Sequence, residues 1–393
     1  MNDDLRSISA RVEPALLRKL NERRVLELIQ QQGPCSRAGL TRLSGMSPPT
    51  VSKAVAALLE AGLLEETQAS ATTFGRPAKL IRLAAARTSV LGIVIEPELC
   101  WVVVSGLDGR IHSSRMRSFP VPGTYQHLLD QIENEVNRLR DEGTTEIRSV
   151  GITVPGLLHQ GRERVLFSPN LHLLDGQMPG LDLSQRLQLP CVALQESHAL
   201  CVGERMFGDA QGLSDFAMLD VSTGLGLGVM SGGRLLTGHG GLAGELGHIT
   251  VELNGRLCGC GNRGCLETLA TDAALARAVS ARLGRSFEIR ELVGLIRTGE
   301  IDARQELDQV TEYLAIAFAA VINLFNPAAF FVHGVLFEAA EDLFQNVVHR
   351  TQSRALGPSL TECRIIQARG NKRQAAVAGA LQHLTQSWAP TLS

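Results

Sequence analysis

Three cysteines fall within eight positions in the stretch CGCGNRGCLE, which runs from Cys258 to Glu267. Thiolates at this spacing suit a metal ion, and a closed structural zinc site takes four ligands in a tetrahedron. The stretch supplies Cys258, Cys260 and Cys265, so a fourth ligand must come from elsewhere. Glycines at 259, 261 and 264 let the chain turn sharply around an ion. Eight cysteines in 393 residues are too sparse for a disulfide scaffold, and a reducing compartment keeps such thiols unpaired. Clustering therefore favours a metal over a disulfide, the alternative being a plain loop of reduced cysteines.

The elements that must position this stretch belong to a chain long enough for two or three domains. Hydrophobic residues make up 44% and charged residues 20%, which allows large cores and argues against wholesale disorder. No run of about eighteen apolar residues stands out, so no membrane span is expected. The start, MNDDLRSISARVEP, lacks the apolar core of a signal peptide, so a cytoplasmic location is expected. The net charge of −2 hides an asymmetry. Residues 1–84 hold 12 Lys and Arg against 8 Asp and Glu, and the remainder holds 26 against 32. A small basic front on a larger acidic body fits a nucleic-acid reader joined to something else.

The front reads as three helices. Pro14 to Gln32 carries Leu16, Leu17, Leu20, Val25, Leu28 and Ile29 at helical spacing. Gly33-Pro34 ends it, and Ser36 caps a second helix to Ser44 with Ala38, Leu40 and Leu43 inward. After a turn at Gly45, Ser47 caps a third helix with Pro48 at its first position, where a missing N–H costs nothing. Val51, Val55, Leu58 and Leu59 face its core, and Gly62 stops it. Two short helices around a glycine turn make a helix-turn-helix, whose second helix enters the major groove. Ser47, Pro49, Thr50 and Lys53 lie at that helix's leading end, with Thr50 placed for a base edge or phosphate and Lys53 for a phosphate. Leu63-Leu64 and Lys79–Leu83 then flank a two-stranded wing. At its tip Gly75-Arg76-Pro77 places Arg76 for a minor groove or a phosphate. A protein-binding bundle and a plain hinge loop are the competing readings of these two features.

From Thr88 the pattern changes. SVLGIVIEPELCWVVVSGLDGRI reads as strand, turn, strand and hairpin turn, and SDFAMLDVSTGLGLGVMSGGRLL at 214–236 repeats that plan. The repeat predicts two related α/β lobes with a cleft between them.

VGITVPG, FSPNL, TGLGLGVMSGGRLLTGHGGLAGELGHITV and CGCGNRGCLETLA, in that order, resemble the ROK family of repressors, open reading frames and kinases. The resemblance runs from about Leu91 to about Leu381. It implies a two-lobed hexokinase-like, ribonuclease-H-like fold, and the added front resembles the repressor branch that regulates xylose, N-acetylglucosamine and glucose uptake. The division expected is a winged helix-turn-helix over 1–85 and a sugar-binding body over 86–393. Lobe 1 would span about 86–205 with a returning helix at 371–385, and lobe 2 about 206–370. The fourth metal ligand is read as His248 in GELGHITV, ten residues before Cys258, and the family carries this same set. One structural zinc per chain is therefore expected, with no open position for water. The resemblance also implies that Asn170, Glu245, His248 and Glu267 hold sugar hydroxyls, since one carboxylate offers two acceptor oxygens to neighbouring hydroxyls. For Glu245 the competing reading is a solvated loop carboxylate.

Kinases of the family carry a glycine-rich first phosphate loop, where this chain has Glu96-Pro97-Glu98-Leu99. Proline removes a donor there and two carboxylates repel phosphate. The family's Asn-Asp pair falls on Gln195-Glu196, which shifts the base by a methylene in a reaction sensitive to position. Glu196 is thus a degenerate base that can still bind a hydroxyl. The second phosphate loop, with Gly224, Gly226 and Gly228, is retained. The reading is a non-enzymatic regulator with three partners: palindromic operator DNA, a sugar or sugar phosphate, and further copies of itself as a homodimer or homotetramer. The alternatives are a sugar kinase bearing a DNA-binding arm and a regulator controlled by a protein partner.

Overall fold

The computed structural model describes residues 14–68, 79–85 and 87–389. Its front is the expected winged helix-turn-helix: α1 (Pro14–Gln32), α2 (Arg37–Ser44) and α3 (Pro48–Glu60), followed by β1 (Leu64–Gln68) and β2 (Lys79–Leu83). Ser36 Oγ accepts the Gly39 N–H and Ser47 Oγ that of Thr50, so both caps satisfy donors the helix cannot. β1 and β2 pair antiparallel, with Leu64 opposite Leu83 and Gln68 opposite Lys79. The wing tip with Arg76 lies outside the described residues.

Two details differ from the sequence expectation. α1 buries Glu22, Val25, Leu26, Leu28 and Ile29, while Leu17 is 52% exposed. Leu17 sits roughly 140° round the helix from Glu22, off the inward line. α2 buries only Gly39 and Leu40; Ala38 is exposed, and Leu43 is 45% exposed. A helix of two turns docks by one of them.

The body holds β3 (Thr88–Ile95), β4 (Leu99–Gly106), β5 (Ile111–Pro120), α4 (Tyr125–Asp141), β6 (Glu146–Val154), β7 (Leu157–His159), β8 (Arg164–Phe167), α5 (Pro179–Leu187), β9 (Cys191–Gln195) and α6 (Glu196–Phe207). Then come β10 (Phe216–Asp220), β11 (Gly226–Ser231), β12 (Arg234–Leu235), α7 (Asp272–Leu283), α8 (Ile289–Arg297), α9 (Arg304–Phe325), β13 (Ala329–His333), α10 (Leu343–Thr351), α11 (Gly357–Glu362), β14 (Arg364–Gln367) and α12 (Lys372–Ser387). The first sheet has the order β5-β4-β3-β6-β9 and the second β12-β11-β10-β13-β14. Each has two antiparallel pairings on one side and two parallel pairings beyond them. The repeated plan read in the sequence is therefore a repeated sheet.

α9 is long and apolar enough by composition to cross a membrane. Here Leu314, Phe318, Val321 and Ile322 of it fill the core of the second lobe.

α12 closes back on the first sheet and packs against β3, β6 and α6. The approach is so close that glycine is required: a Cβ on Gly151 would stand 2.0 Å from the Ala376 carbonyl oxygen. Gly92 faces Val377 and Gly203 faces Ala375 less tightly, at 3.0 and 3.1 Å from such a Cβ. The far end of α12 meets α1. Gln30 donates to the Thr385 hydroxyl at 2.8 Å, and Trp388 Nε1, just past the helix, donates to the buried Glu22 carboxylate at 3.0 Å. The Lys19 ammonium sits 4.0 Å over the Trp388 ring. Val377, Ala380 and Leu381 join the same apolar cluster as Val25, Leu26 and Val55, so front and body share a core.

Candidate functional site

The segment between β12 and α7 brings His248, Cys258, Cys260 and Cys265 together, with one ligand atom from each lying within 4.8 Å of the others. Cys260 Sγ lies 3.7 Å from Cys265 Sγ, and Cys258 Sγ lies 3.7 Å from His248 Nδ1. A tetrahedron with arms of about 2.3 Å has edges of about 3.7 Å, so the donor set fits a four-coordinate ion. Two short bridges, Thr250 to Cys265 and Leu257 to Arg263, fold the loop. Gly264 makes this possible: its φ is 66°, and a Cβ would stand 1.6 Å from the Glu252 carbonyl oxygen.

His248 turns its other nitrogen outward, with Nε2 3.7 Å from Glu245 Oε2. Glu245 also accepts from Gln195 Nε2 at 2.9 Å. Burial pushes the Glu245 carboxyl up, and the Gln195 bond and His248 oppose it. Glu267 Oε2 accepts the Leu225 N–H at 3.0 Å, and Oε1 lies 3.8 Å from Cys258 Sγ. Asn170 stands across Gly224 from Glu267. Asn170, Glu196, Glu245, His248 and Glu267 thus line one cleft between the lobes. A cleft of acceptors beside one amide can hold several hydroxyls at once.

The floor of the cleft holds residues that sequence reasoning did not single out. Lys372, the first residue of α12, donates to Glu196 Oε1 at 2.7 Å. Its ammonium also lies 3.4 Å from Asp220 Oδ2 and 3.6 Å from Glu96 Oε1. Asp220 in turn bonds His333 Nδ1 at 2.8 Å and the Ser222 hydroxyl at 2.5 Å. Burial would raise the Asp220 carboxyl, but Lys372 and His333 outweigh it and hold it below the usual carboxylate range. At Glu196 burial wins over Lys372 and the shift is upward. The Lys372 ammonium is held in its charged form by the three carboxylates, against burial. The β3–β4 turn is tight, with the Glu96 N–H donated to the Leu99 carbonyl at 3.0 Å.

At the front, Ser47, Pro49 and Lys53 are exposed and Thr50 is half-buried. The Thr50 hydroxyl lies 2.8 Å from Ser47 Oγ, so part of its capacity is used within the helix start. Arg37, Lys79 and Arg82 are paired with Glu65 and Glu66 of the wing. Lys53 has no carboxylate partner among the described residues. No acidic residue stands in the first turn of α3, and with Pro48 and Pro49 lacking an N–H and the Thr50 N–H capped by Ser47, the exposed Lys53 is what this end offers an anion.

Comparison with known proteins agrees with both halves. Residues 92–387 match the profile of the ROK family, and residues 18–65 match a winged helix-turn-helix DNA-binding profile. The DNA-binding transcriptional dual regulator NagC of Escherichia coli (strain K12) is 27% identical over 380 residues, 93% of each chain. The xylose repressor of Bacillus subtilis (strain 168) is 27% identical over 346 residues, 87% of this chain and 89% of that one. A solved ROK family transcriptional regulator, a homolog of the E. coli MLC protein, superposes with a TM-score of 0.80 at 26% identity, covering 95% of this chain and 98% of its own. A ROK family glucokinase from Streptomyces griseus, in complex with glucose and AMPPNP, superposes with a TM-score of 0.66 at 28% identity over 74% of this chain and 98% of its own.

Proposed function

Because the chain belongs to the ROK family, we propose that it is a sugar-responsive DNA-binding regulator, in the sense of a repressor of carbohydrate uptake or catabolism genes, and not a working kinase. One observation carries this reading. A winged helix-turn-helix with an exposed reading face is packed through α12 onto a two-lobed body whose cleft holds Lys372 paired with Glu96, Glu196 and Asp220. The similarity to NagC and to the xylose repressor supports the same direction.

In this reading residues 1–85 bind DNA and 86–393 sense the ligand, with lobe 1 at about 86–205 plus 371–385 and lobe 2 at about 206–370. His248, Cys258, Cys260 and Cys265 would hold one zinc ion. Four protein ligands leave no position for water, so the ion would stiffen the loop and do no hydrolysis. Held that way, His248 presents its other nitrogen to the cleft in a fixed orientation. Asn170, Glu245, His248 and Glu267 receive the sugar hydroxyls, with Glu196 beside them. Ser47, Pro49, Thr50 and Lys53 meet the major groove, and Arg76 reaches past it from the wing. A dimer places two α3 helices one helical turn of a palindrome apart, or a multiple of it. A DNA partner puts the protein in the cytoplasm.

Sugar binding changes the closure of the lobes, and α12 passes the change to α1. The ligand acts only through its preference for one arrangement. A coupling of about 1–3 kcal/mol changes operator affinity roughly 5–150-fold. The test begins with an operator selected from a random duplex pool, then titrates protein onto it with and without each candidate sugar. The expected outcome is one sugar that shifts the affinity. If sugars bind and none shifts it, the regulatory mechanism is wrong. Thermal shift with and without Mg-ATP covers the kinase reading, which the retained Gly224–Gly228 turn favours. Sugar-dependent ATP turnover would bring that reading forward.

A further inference from the structure

Charge in the cleft is lopsided. Lys372 is the one Lys or Arg that lines it among the described residues, against Glu196, Asp220, Glu245 and Glu267. Glu96 reaches Lys372 from the β3–β4 turn as well. The single cation is therefore fully engaged. Even with Glu196 protonated, as burial favours, Asp220 and Glu96 outnumber the one Lys372 charge.

Two of the backbone donors at the turns are engaged too. Glycine-rich turns bind phosphate through free N–H groups, but the Leu225 N–H of the retained turn is donated to Glu267. At the other turn the Glu96 N–H is donated to Leu99 and Pro97 has none. At Leu225 the protein fills the turn's own donor with a side-chain carboxylate. A phosphate entering here would meet no free cation and would stand among like charges in a partly buried space. A neutral polyol meets the opposite situation, because each hydroxyl can donate to a waiting carboxylate.

We propose that the cleft selects an uncharged, unphosphorylated sugar and rejects sugar phosphates and nucleotides, with Lys372, locked by Glu96, Glu196 and Asp220, as the specificity determinant. This rests on the sugar-sensing reading and narrows it to a ligand class. Lys372 also joins both lobes, because Glu96 and Glu196 belong to the first sheet's side and Asp220 to the second.

Calorimetric titration of the full chain at fixed ionic strength tests it. The probes are glucose, N-acetylglucosamine, N-acetylmannosamine and xylose, each hexose paired with its 6-phosphate. At least one free sugar should bind, and a 6-phosphate should bind about tenfold more weakly or worse than its parent. Glu96→Gln, a mild change at a partly exposed side chain, should narrow that gap about three- to tenfold by removing one repelling charge. Lys372→Met should widen it, and Glu96→Gln decides alone if that variant fails to fold. A 6-phosphate that binds as tightly as its parent, or a gap that Glu96→Gln leaves unchanged, overturns the selectivity while sugar sensing stands. Binding of no sugar in either form removes sensing and selectivity together.

Discussion

Cys260 and Cys265 hold their sulfurs at the edge length of a zinc tetrahedron, so one thiol fewer should be felt at once. Cys260→Ser is expected to lower zinc content below one per chain, read by elemental mass spectrometry, and to lower the melting temperature. Unchanged zinc content would remove Cys260 from the ligand set. His333 gives a second prediction at this scale. Burial disfavours its charge, the Asp220 bond outweighs burial, and its pKa is raised above the ordinary 6.5. A raised group stabilises fully below its unfolded pKa, and that contribution is lost as pH rises through the folded value. Asp272, pushed up by burial from an ordinary 3.8 to about 6, acts in the same direction over a lower window. The melting temperature should therefore fall as pH rises past about 6.5, and His333→Gln should flatten that part of the profile. A profile identical in both proteins would separate His333 from the cluster. The metal set was legible in the sequence because its thiols sit in ten consecutive residues with His248 close by. Lys372 was not, because Glu196 is 176 positions away and nothing in GNKRQ marks a buried lysine.

The reading helix depends on its own first turn. Ser47→Ala removes the N-cap and should cost about 1 kcal/mol of stability in the front domain, read by thermal melting. Lys53→Ala should weaken binding to all duplexes and lower the salt slope by about one ion; an unchanged slope would remove Lys53 from the phosphate contacts. Helices α2 and α3 were legible from Ser36, Gly45, Ser47 and Pro48, because caps act within four residues. Burial was less so. Leu17 and Leu43 are apolar and face outward, Leu17 because it lies off the inward line of α1 and Leu43 because α2 docks by one turn only. The wing strands were placed by their apolar runs, and their register follows from the pairing of Leu64 with Leu83.

Across the whole molecule, α12 runs about 20 Å from Lys372 in the cleft to Thr385 at the front domain. Trp388→Phe deletes the N–H that meets buried Glu22 and touches neither ligand face. It is expected to leave sugar affinity unchanged while the sugar-dependent shift in operator affinity falls several-fold. An intact shift would place the route elsewhere. The paired lobes were legible because two hairpins repeat in sequence, whereas the junction of front and body was not, because residues 377–381 carry no sign of the partner they cover. That junction rests on a helix laid against bare backbone at Gly92, Gly151 and Gly203. A side chain added at Gly151 displaces the helix that both halves share, and one at Gly92 or Gly203 presses on it by a few tenths of an ångström. A saturation screen for lost gene control should find these three positions as intolerant as the ligand residues. Drawn from such a screen alone, a map would mark a third binding site where there is only a helix lying flat on main chain.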